Sequence, residues 1–137
     1  MRLSRRNAEA QERRRRRDDA PRLLDQVPRL RSLSLHIEER QGDSTVLDSV
    51  HVRRIAVADA PALFEFACLN PICTDGGHDS TGPILSELRR ERMRFEGADA
   101  CAGANGNTTC RRVLHYVAIA EYGSPEERET AETEPPR

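Results

Sequence analysis

Apolar and polar residues alternate in two segments of the chain, LRSLSLHIEE at 30–39 and VHVRRIAV at 50–57. A period of two residues predicts strands with one face buried and the other in water. The QGDS sequence between them has the composition of a turn. In the second segment the apolar parity changes at Arg53 and Arg54, which predicts a bulge or bend at that point.

Two further strands are predicted downstream. LFEFAC at 63–68 places two phenylalanines and Cys68 on one face, which is typical of a strand that ends at the cysteine. RVLHYVAIAEY at 112–122 is apolar on both faces and therefore has the pattern of a central strand.

One helix is predicted over residues 81–95, where apolar residues recur at helical spacing. Ser80 or Thr81 is suited to its N-terminal cap, and Gly97 is a natural stop. These elements together predict an α+β fold. Its antiparallel sheet has about four strands, and the helix is inserted before the last of them.

The 137 residues divide by composition into three parts. Residues 1–28 form a basic arm, predicted to be disordered or loosely helical, because it is polar all round and has no apolar face to pack. Residues 29–122 are predicted to form a single α+β domain. Residues 123–137 are predicted to be an acidic disordered tail.

Composition narrows the classes of function. The chain has no tryptophan, three phenylalanines and two tyrosines, which predicts a small core. It has no apolar run of the roughly 18 residues that cross a membrane, and no secretory signal. We therefore expect no membrane contact and a cytoplasmic protein, in which thiols stay reduced and paired cysteines are more often metal ligands than disulfides.

The four cysteines form two pairs, Cys68 with Cys73 and Cys101 with Cys110. If the strands at 63–68 and 112–122 are antiparallel neighbours, both pairs lie at one end of the sheet. Four thiolates held by two turns are the ligand set of structural zinc. Nearby glycines allow the backbone to approach a bound ion closely.

With these cysteines, residues 62–122 resemble the zinc-ribbon group of small domains. The resemblance rests on Cys68 and Cys73, an insertion, and then Cys101 and Cys110 leading into a strand. It implies a structural Zn²⁺ at a ribbon-like end of the sheet, in a domain that commonly binds nucleic acid or protein. The C-x8-C spacing of the second pair and the inserted helix depart from the ribbon pattern.

Other states of the cysteines stay open. They are reduced and unliganded in one alternative, and in another they form disulfides that pair Cys68 with Cys73 and Cys101 with Cys110. His78, in the GGHD sequence, is a substitute metal ligand with Asp79 as its acceptor, or simply a turn residue.

Three functions follow from these features. The first is a non-enzymatic zinc-binding module that contacts another protein, since four thiolates leave no open coordination position for catalysis. The second is a nucleic-acid-associated protein. Its phosphate contacts would come from the N-terminal arm and the helix, through Arg13, Arg14, Arg15, Arg16, Arg17, Arg89, Arg90 and Arg94. The third is a thiol-redox or metal sensor. No feature of the sequence indicates the oligomeric state.

Overall fold

The computed structural model describes residues 2–41, 47–70 and 72–123. The helices and strands in this part of the chain are, in order, α1 (Arg2–Asp19), α2 (Leu23–Gln26), β1 (Leu30–Gln41), β2 (Leu47–Ile55), β3 (Glu65–Phe66), β4 (His78–Asp79), α3 (Thr81–Arg89), β5 (Arg94–Ala100), β6 (Ala104–Asn105), β7 (Thr108–Thr109) and β8 (Arg112–Tyr122). The protein is a small α+β fold.

Four of these strands form one antiparallel sheet in the order β2-β1-β8-β5. The sequence prediction that β8 is a central strand is confirmed, because β1 and β5 pair with its two edges. The remaining strands form two-residue ladders, β3 with β4 and β6 with β7. These short ladders hold the loops that carry the cysteines.

The core lies between one face of the sheet and α3. Leu33, Leu35 and Ile37 of β1 are buried, as their alternation predicted. They belong to one apolar cluster with the helical residues Ile84 and Leu88, which are fully buried. The amphipathic patterns of strand and helix therefore bury their apolar faces against each other.

The fourth strand of the sheet is not the predicted one. Residues 63–68 contribute only the short β3, and the edge position is taken by β5 instead. The apolar face of 63–68 was predicted correctly, since Phe64, Phe66 and Cys68 are buried. They pack on the core without joining the main ladder, and burial alone does not distinguish these two arrangements.

The predicted helix over 81–95 is too long. It ends at Arg89, and Glu91 has a φ of 56°, a left-handed conformation that stops helical propagation. The chain then reverses into β5, where Phe95 is buried and Gly97, the predicted stop, pairs with Tyr116. Strands β5, β6 and β7 therefore lie between the helix and the last strand.

The predicted bulge at Arg53 and Arg54 is also wrong. Pairing between β1 and β2 runs through both residues without interruption, and its register shift lies between Glu39 and Arg40.

The N-terminal segment contains regular structure and part of the core. Residues Arg2–Asp19 form α1, an 18-residue helix. Leu23 and Val27 are buried within the main apolar cluster. None of the helices in the described part of the chain combines the length and apolar character that a membrane crossing needs. Of the predicted acidic tail at 123–137, only Gly123 is among the described residues, and 124–137 lie outside them.

Candidate metal centre

The second cysteine pair is positioned by two neighbouring strands. Cys101 directly follows β5 and Cys110 closely precedes β8, and these strands pair antiparallel up to Ala100 and Val113. Backbone hydrogen bonds continue past the ladder, from Cys101 N to Arg112 O at 2.8 Å and from Cys110 N to Gly103 O at 2.7 Å. The end of one strand and the start of the next therefore place both thiols at one end of the sheet.

The first pair reaches the same place along a route that the sequence did not predict. Cys68 and Cys73 lie in the loop after β3, outside the main sheet. A two-way backbone contact joins this loop to the second pair's loop, with Thr74 N to Ala104 O at 2.9 Å and Ala104 N to Thr74 O at 2.8 Å. The cysteines converge as expected, but this bridge between loops replaces the expected pairing of strands.

The sulfur atoms form a compact buried cluster. The Sγ atoms of Cys68 and Cys110 are 3.7 Å apart and those of Cys73 and Cys101 are 3.6 Å apart. All four lie within 4.8 Å of one another, and each residue is at most 5% exposed. A tetrahedron with Zn–S bonds of about 2.3 Å has edges of about 3.8 Å. Disulfide sulfurs lie about 2.05 Å apart, so all four thiols here are free.

Polar hydrogens surround the sulfurs. The backbone N–H groups of Gly77 and Gly103 donate to Cys101 Sγ at 3.3 and 3.4 Å, and the Asn70 side-chain amide donates to Cys110 Sγ at 3.7 Å. Such donors stabilise a negatively charged sulfur more than a neutral thiol. The cluster is therefore equipped for thiolates.

Burial and hydrogen bonds from N–H groups have opposite effects on the pKa values of the cysteines. Burial raises the pKa of Cys68 to about 12 and also raises the pKa of Cys73. Burial acts in the same direction on Cys110, but the Arg112 backbone and the Asn70 side chain donate hydrogen bonds that bring its pKa below the ordinary value. Four anions cannot be buried together without a cation, and a divalent metal would supply the missing charge.

Two glycines let the backbone pass close to the sulfurs. A Cβ on Gly76 would lie 2.5 Å from the Sγ atoms of both Cys73 and Cys101. A Cβ on Gly103 would lie 2.6 Å from Cys73 Sγ. Both positions therefore need the absence of a side chain, as the sequence predicted for the glycines around the cluster.

Helix α1 covers the first cysteine loop through polar contacts. The guanidinium of Arg6 donates to the backbone oxygens of Cys73 at 2.5 Å, Asn70 at 3.1 Å and Cys68 at 3.3 Å. Arg5 forms a salt bridge with Asp75 at 2.5 Å in the same loop. Sequence reasoning missed this docking, because a helix without an apolar stripe carries no packing signal.

A second polar contact anchors the other end of α1. Arg16 forms a bidentate salt bridge with Glu65 of β3, with nitrogen–oxygen distances of 2.7 and 2.9 Å. The side chain of Glu65 is only 12% exposed, so water screens this pair less than a surface pair.

His78 is not a simple turn residue. It lies in β4, is 2% exposed, and its Nδ1 is 3.0 Å from Asp99 Oδ2. The metal-ligand interpretation expected Asp79 as its acceptor, but Asp79 accepts a hydrogen bond from Thr81 N at 3.0 Å at the start of α3, as expected if His78 were only a turn residue. The residue that contacts His78 comes from β5, the strand that the sequence pattern did not reveal.

The predicted nucleic-acid residues are divided between several environments. Arg13 and Arg17 line one cavity together with Arg53 and Arg54. The other predicted arginines do not line that cavity. Arg15 pairs with Glu12, Arg16 with Glu65, and Arg89 donates to Gln26, while Arg14, Arg90 and Arg94 are exposed.

Comparisons with protein-family models, with curated proteins and with solved structures found no match to this chain.

Proposed function

We propose that this protein is a non-enzymatic interaction module whose contact surface is held in place by a structural Zn²⁺ bound to Cys68, Cys73, Cys101 and Cys110. The observation that carries the proposal is the cluster of four free, buried thiols with sulfur separations of 3.6 and 3.7 Å. This spacing is close to the edge of a tetrahedral zinc–thiolate site.

The ligand set favours zinc and a structural role. Four thiolates are soft ligands, which select zinc over magnesium or calcium. They also fill a tetrahedral coordination sphere and leave no position for substrate or water, so the site supports no zinc catalysis. Burial raises the pKa of Cys68 and Cys73 and leaves all four thiols at most 5% exposed, which disfavours reaction with oxidants and argues against the redox sensor. The lowered pKa of Cys110 is the feature that favours that sensor.

The metal would add a direct link between the two cysteine loops, which already meet at the Thr74–Ala104 contact. The first loop is also held to α1 by the Arg6 side chain and by the Arg5–Asp75 salt bridge. By fixing the first loop, zinc would also fix the carbonyl groups on which α1 docks. The metal site, the loop and the helix would then present one rigid surface.

This surface suits a protein partner. A recess of about 660 Å³ lies between α1 and the cysteine loops. Carboxylates and guanidiniums both line it, among them Glu9, Glu12, Arg13 and Asp75. Phosphates would be repelled by the carboxylates, whereas a polar segment of a protein can match both signs of charge.

Metal analysis combined with a thiol count tests the zinc site. We expect freshly purified protein to hold zinc and to expose all four thiols only after chelation. Cys110→Ser should lower the zinc content and destabilise the fold. Protein without metal, with four freely titrating thiols, would exclude the proposed site.

Capture of binding proteins tests the partner class. The zinc-loaded chain should retain a protein from nuclease-treated extract, and Glu12→Arg should weaken this binding. Glu121→Arg, at an exposed position of β8, is the matched control. Binding that disappears after nuclease treatment would instead favour nucleic acid.

One observation supports the nucleic-acid alternative. Arg13, Arg17, Arg53 and Arg54 line a cavity of about 340 Å³, and none of the four forms an ion pair with another described residue. Burial, followed by the positive charge of Arg17, lowers the pKa of Arg53. Asp59 and Glu65 also line this cavity, but Glu65 is paired with Arg16, so arginines outnumber the available carboxylates and would attract phosphate.

Salt-dependent binding of a single-stranded RNA probe tests this alternative. Each phosphate that an arginine neutralises on a single strand contributes about 0.7 to the slope of log K against log salt. If the cavity binds phosphates, replacing Arg17 and Arg53 with Gln should therefore reduce that slope by about 1.4. Replacing Arg89 and Arg90 with Gln is the control and should change the slope less. No probe binding at low salt would exclude the alternative.

A further inference from the structure

Buried polar residues are concentrated beside the cysteine cluster. Within the described ranges, the buried polar or charged residues are Glu39, His78 and Ser80. Ser80 occupies the N-terminal cap position of α3. Glu39 and His78 come from different strands, and a ligand atom of each lies within 4.8 Å of the other and of Cys68 Sγ. Two buried titratable side chains therefore meet at one of the zinc-site cysteines.

The histidine is oriented as a metal ligand would be. Its Nδ1 faces Asp99 Oδ2 at 3.0 Å. Its Nε2 is buried and has no hydrogen-bond partner among the described residues. Metal-binding histidines commonly donate one ring N–H to a carboxylate, which fixes the ring and leaves the second nitrogen for the metal. Asp99 is in the position of that carboxylate.

The glutamate is equally constrained. Glu39 is 2% exposed, and its Oε1 accepts a hydrogen bond from Leu69 N at 3.2 Å. Arg112 Nε lies 3.7 Å from the same oxygen. Leu69 directly follows Cys68, so this hydrogen bond fixes the carboxylate beside the cysteine. A buried carboxylate is costly unless cations or donors compensate its charge.

We propose that Glu39, Cys68 and His78 form a second divalent-metal site, fused to the four-cysteine site through a shared Cys68 thiolate. This inference rests on the zinc site of the proposed function, because Cys68 must be held as a thiolate. The mixture of imidazole, carboxylate and thiolate selects zinc or a similar transition metal, and disfavours magnesium and calcium.

The charges support a second cation. Four thiolates and a carboxylate around a single divalent ion leave a net negative charge in a buried region, which Arg112 offsets only in part. A second divalent ion neutralises most of what is left. Three protein ligands leave one coordination position for water or another small ligand. His78 and Asp99 also line the recess of about 660 Å³, and because the His78 side chain is itself fully buried, the second metal would lie beneath the wall of this recess.

Counting zinc tests this inference. Purified protein is incubated with excess Zn²⁺, passed through a desalting column, and analysed for zinc per chain. We expect two zinc ions in the wild type and one in both His78→Gln and Glu39→Gln. His36→Gln, in a half-exposed histidine of β1, is the matched control and should keep two.

The outcomes separate this inference from the proposed function. No zinc in the wild type would exclude the four-cysteine site itself. One zinc in the wild type, or two that both variants retain, would exclude the second site alone. If one variant holds no zinc because it has lost its fold, the other variant and Asp99→Asn decide. Asp99→Asn should weaken the second zinc about 10- to 100-fold.

Cobalt gives an independent readout. The first Co²⁺ equivalent should produce the visible absorption of a tetrathiolate site, and the second should add a separate band. His78→Gln should show the first band and lack the second. A second band that is unchanged in this variant would contradict His78 as a ligand.

Discussion

Gly76→Ala tests whether the close approach of the backbone to the sulfurs is required for metal binding. The new methyl group would lie 2.5 Å from the Sγ atoms of Cys73 and Cys101 and 3.2 Å from Gly103 Cα. Unstrained contacts between heavy atoms are about 3.5–4 Å long. The methyl group would therefore overlap each sulfur by about 1 Å.

The overlap cannot be relieved cheaply. The two sulfurs are 3.6 Å apart and both residues are almost fully buried, so moving either one changes the metal geometry. Overpacking of a buried site costs about 1–3 kcal/mol. Because two sulfurs are affected, we expect a value of about 3 kcal/mol. If this cost falls on the metal-bound state, it weakens zinc binding about 100-fold.

Competition with a chromophoric chelator measures the zinc affinity, and urea unfolding in the presence of zinc measures stability. Gly82→Ala is the matched control, because a Cβ there meets no atom within 4 Å and the residue lies in the first turn of α3. We expect it to be neutral or stabilising. Wild-type zinc affinity in Gly76→Ala, or an equal loss in Gly82→Ala, would refute the reasoning.

Three other predictions follow from the contacts and pKa values. Arg6→Ala removes charged hydrogen bonds to the cysteine loop, each worth about 1.5–3 kcal/mol. Hydrogen exchange should then show the amide hydrogens of α1 exchanging at least about tenfold faster. Arg14→Ala, at an exposed position of the same helix, is the control and should leave these rates unchanged. Burial raises the pKa of Cys68 to about 12, so this thiol must lose its proton when zinc binds. The affinity of the protein for zinc should therefore rise by about tenfold or more per pH unit between pH 6 and 8. Competition titrations that show no pH dependence would contradict this. Burial, followed by nearby glutamates, raises the pKa of Tyr122 to about 12, whereas an unfolded tyrosine ionises at about 10. The free energy of unfolding should therefore fall as the pH rises from about 10 to about 12. Denaturant titrations should show a smaller fall for Tyr122→Phe over that range.

The strands that carry their own apolar pattern were predictable from the sequence. The pattern identified β1, β2 and β8 as strands, and in β1 the alternating apolar residues match the burial. In β2 the apolar Val50 and Val52 are exposed, and in β8 only one of the two apolar faces is buried. It missed β5, because RFEGADA contains glycine, alanine and aspartate, which have low strand propensity. That segment is a strand because β8 offers it an edge, and pairing of this kind is not visible in local sequence.

The candidate site was also only partly predictable from the sequence. Cysteine spacing and the expected pairing of strands were enough to bring four thiols together. The expected position of Cys110 at the start of the last strand was correct, but Cys101 is positioned by β5, which the sequence did not predict. The first pair joins the cluster through a bridge between loops and not through the expected pairing of 63–68 with 112–122. Arg6, Glu39 and Asp99 were not predictable, because each is distant in sequence from the cysteine or histidine that it contacts and belongs to no motif.

The position of β8 in the sheet has a consequence for how the chain folds during synthesis. β8 follows all its sheet partners in sequence, yet it is the strand to which both β1 and β5 pair. Until the ribosome has delivered it, β1 has only β2 beside it, and β5 has no partner in the sheet. Contacts between such distant segments are slow to form. The emerging chain therefore carries unpaired strand edges for most of its synthesis, a period when chaperone binding would protect it from aggregation.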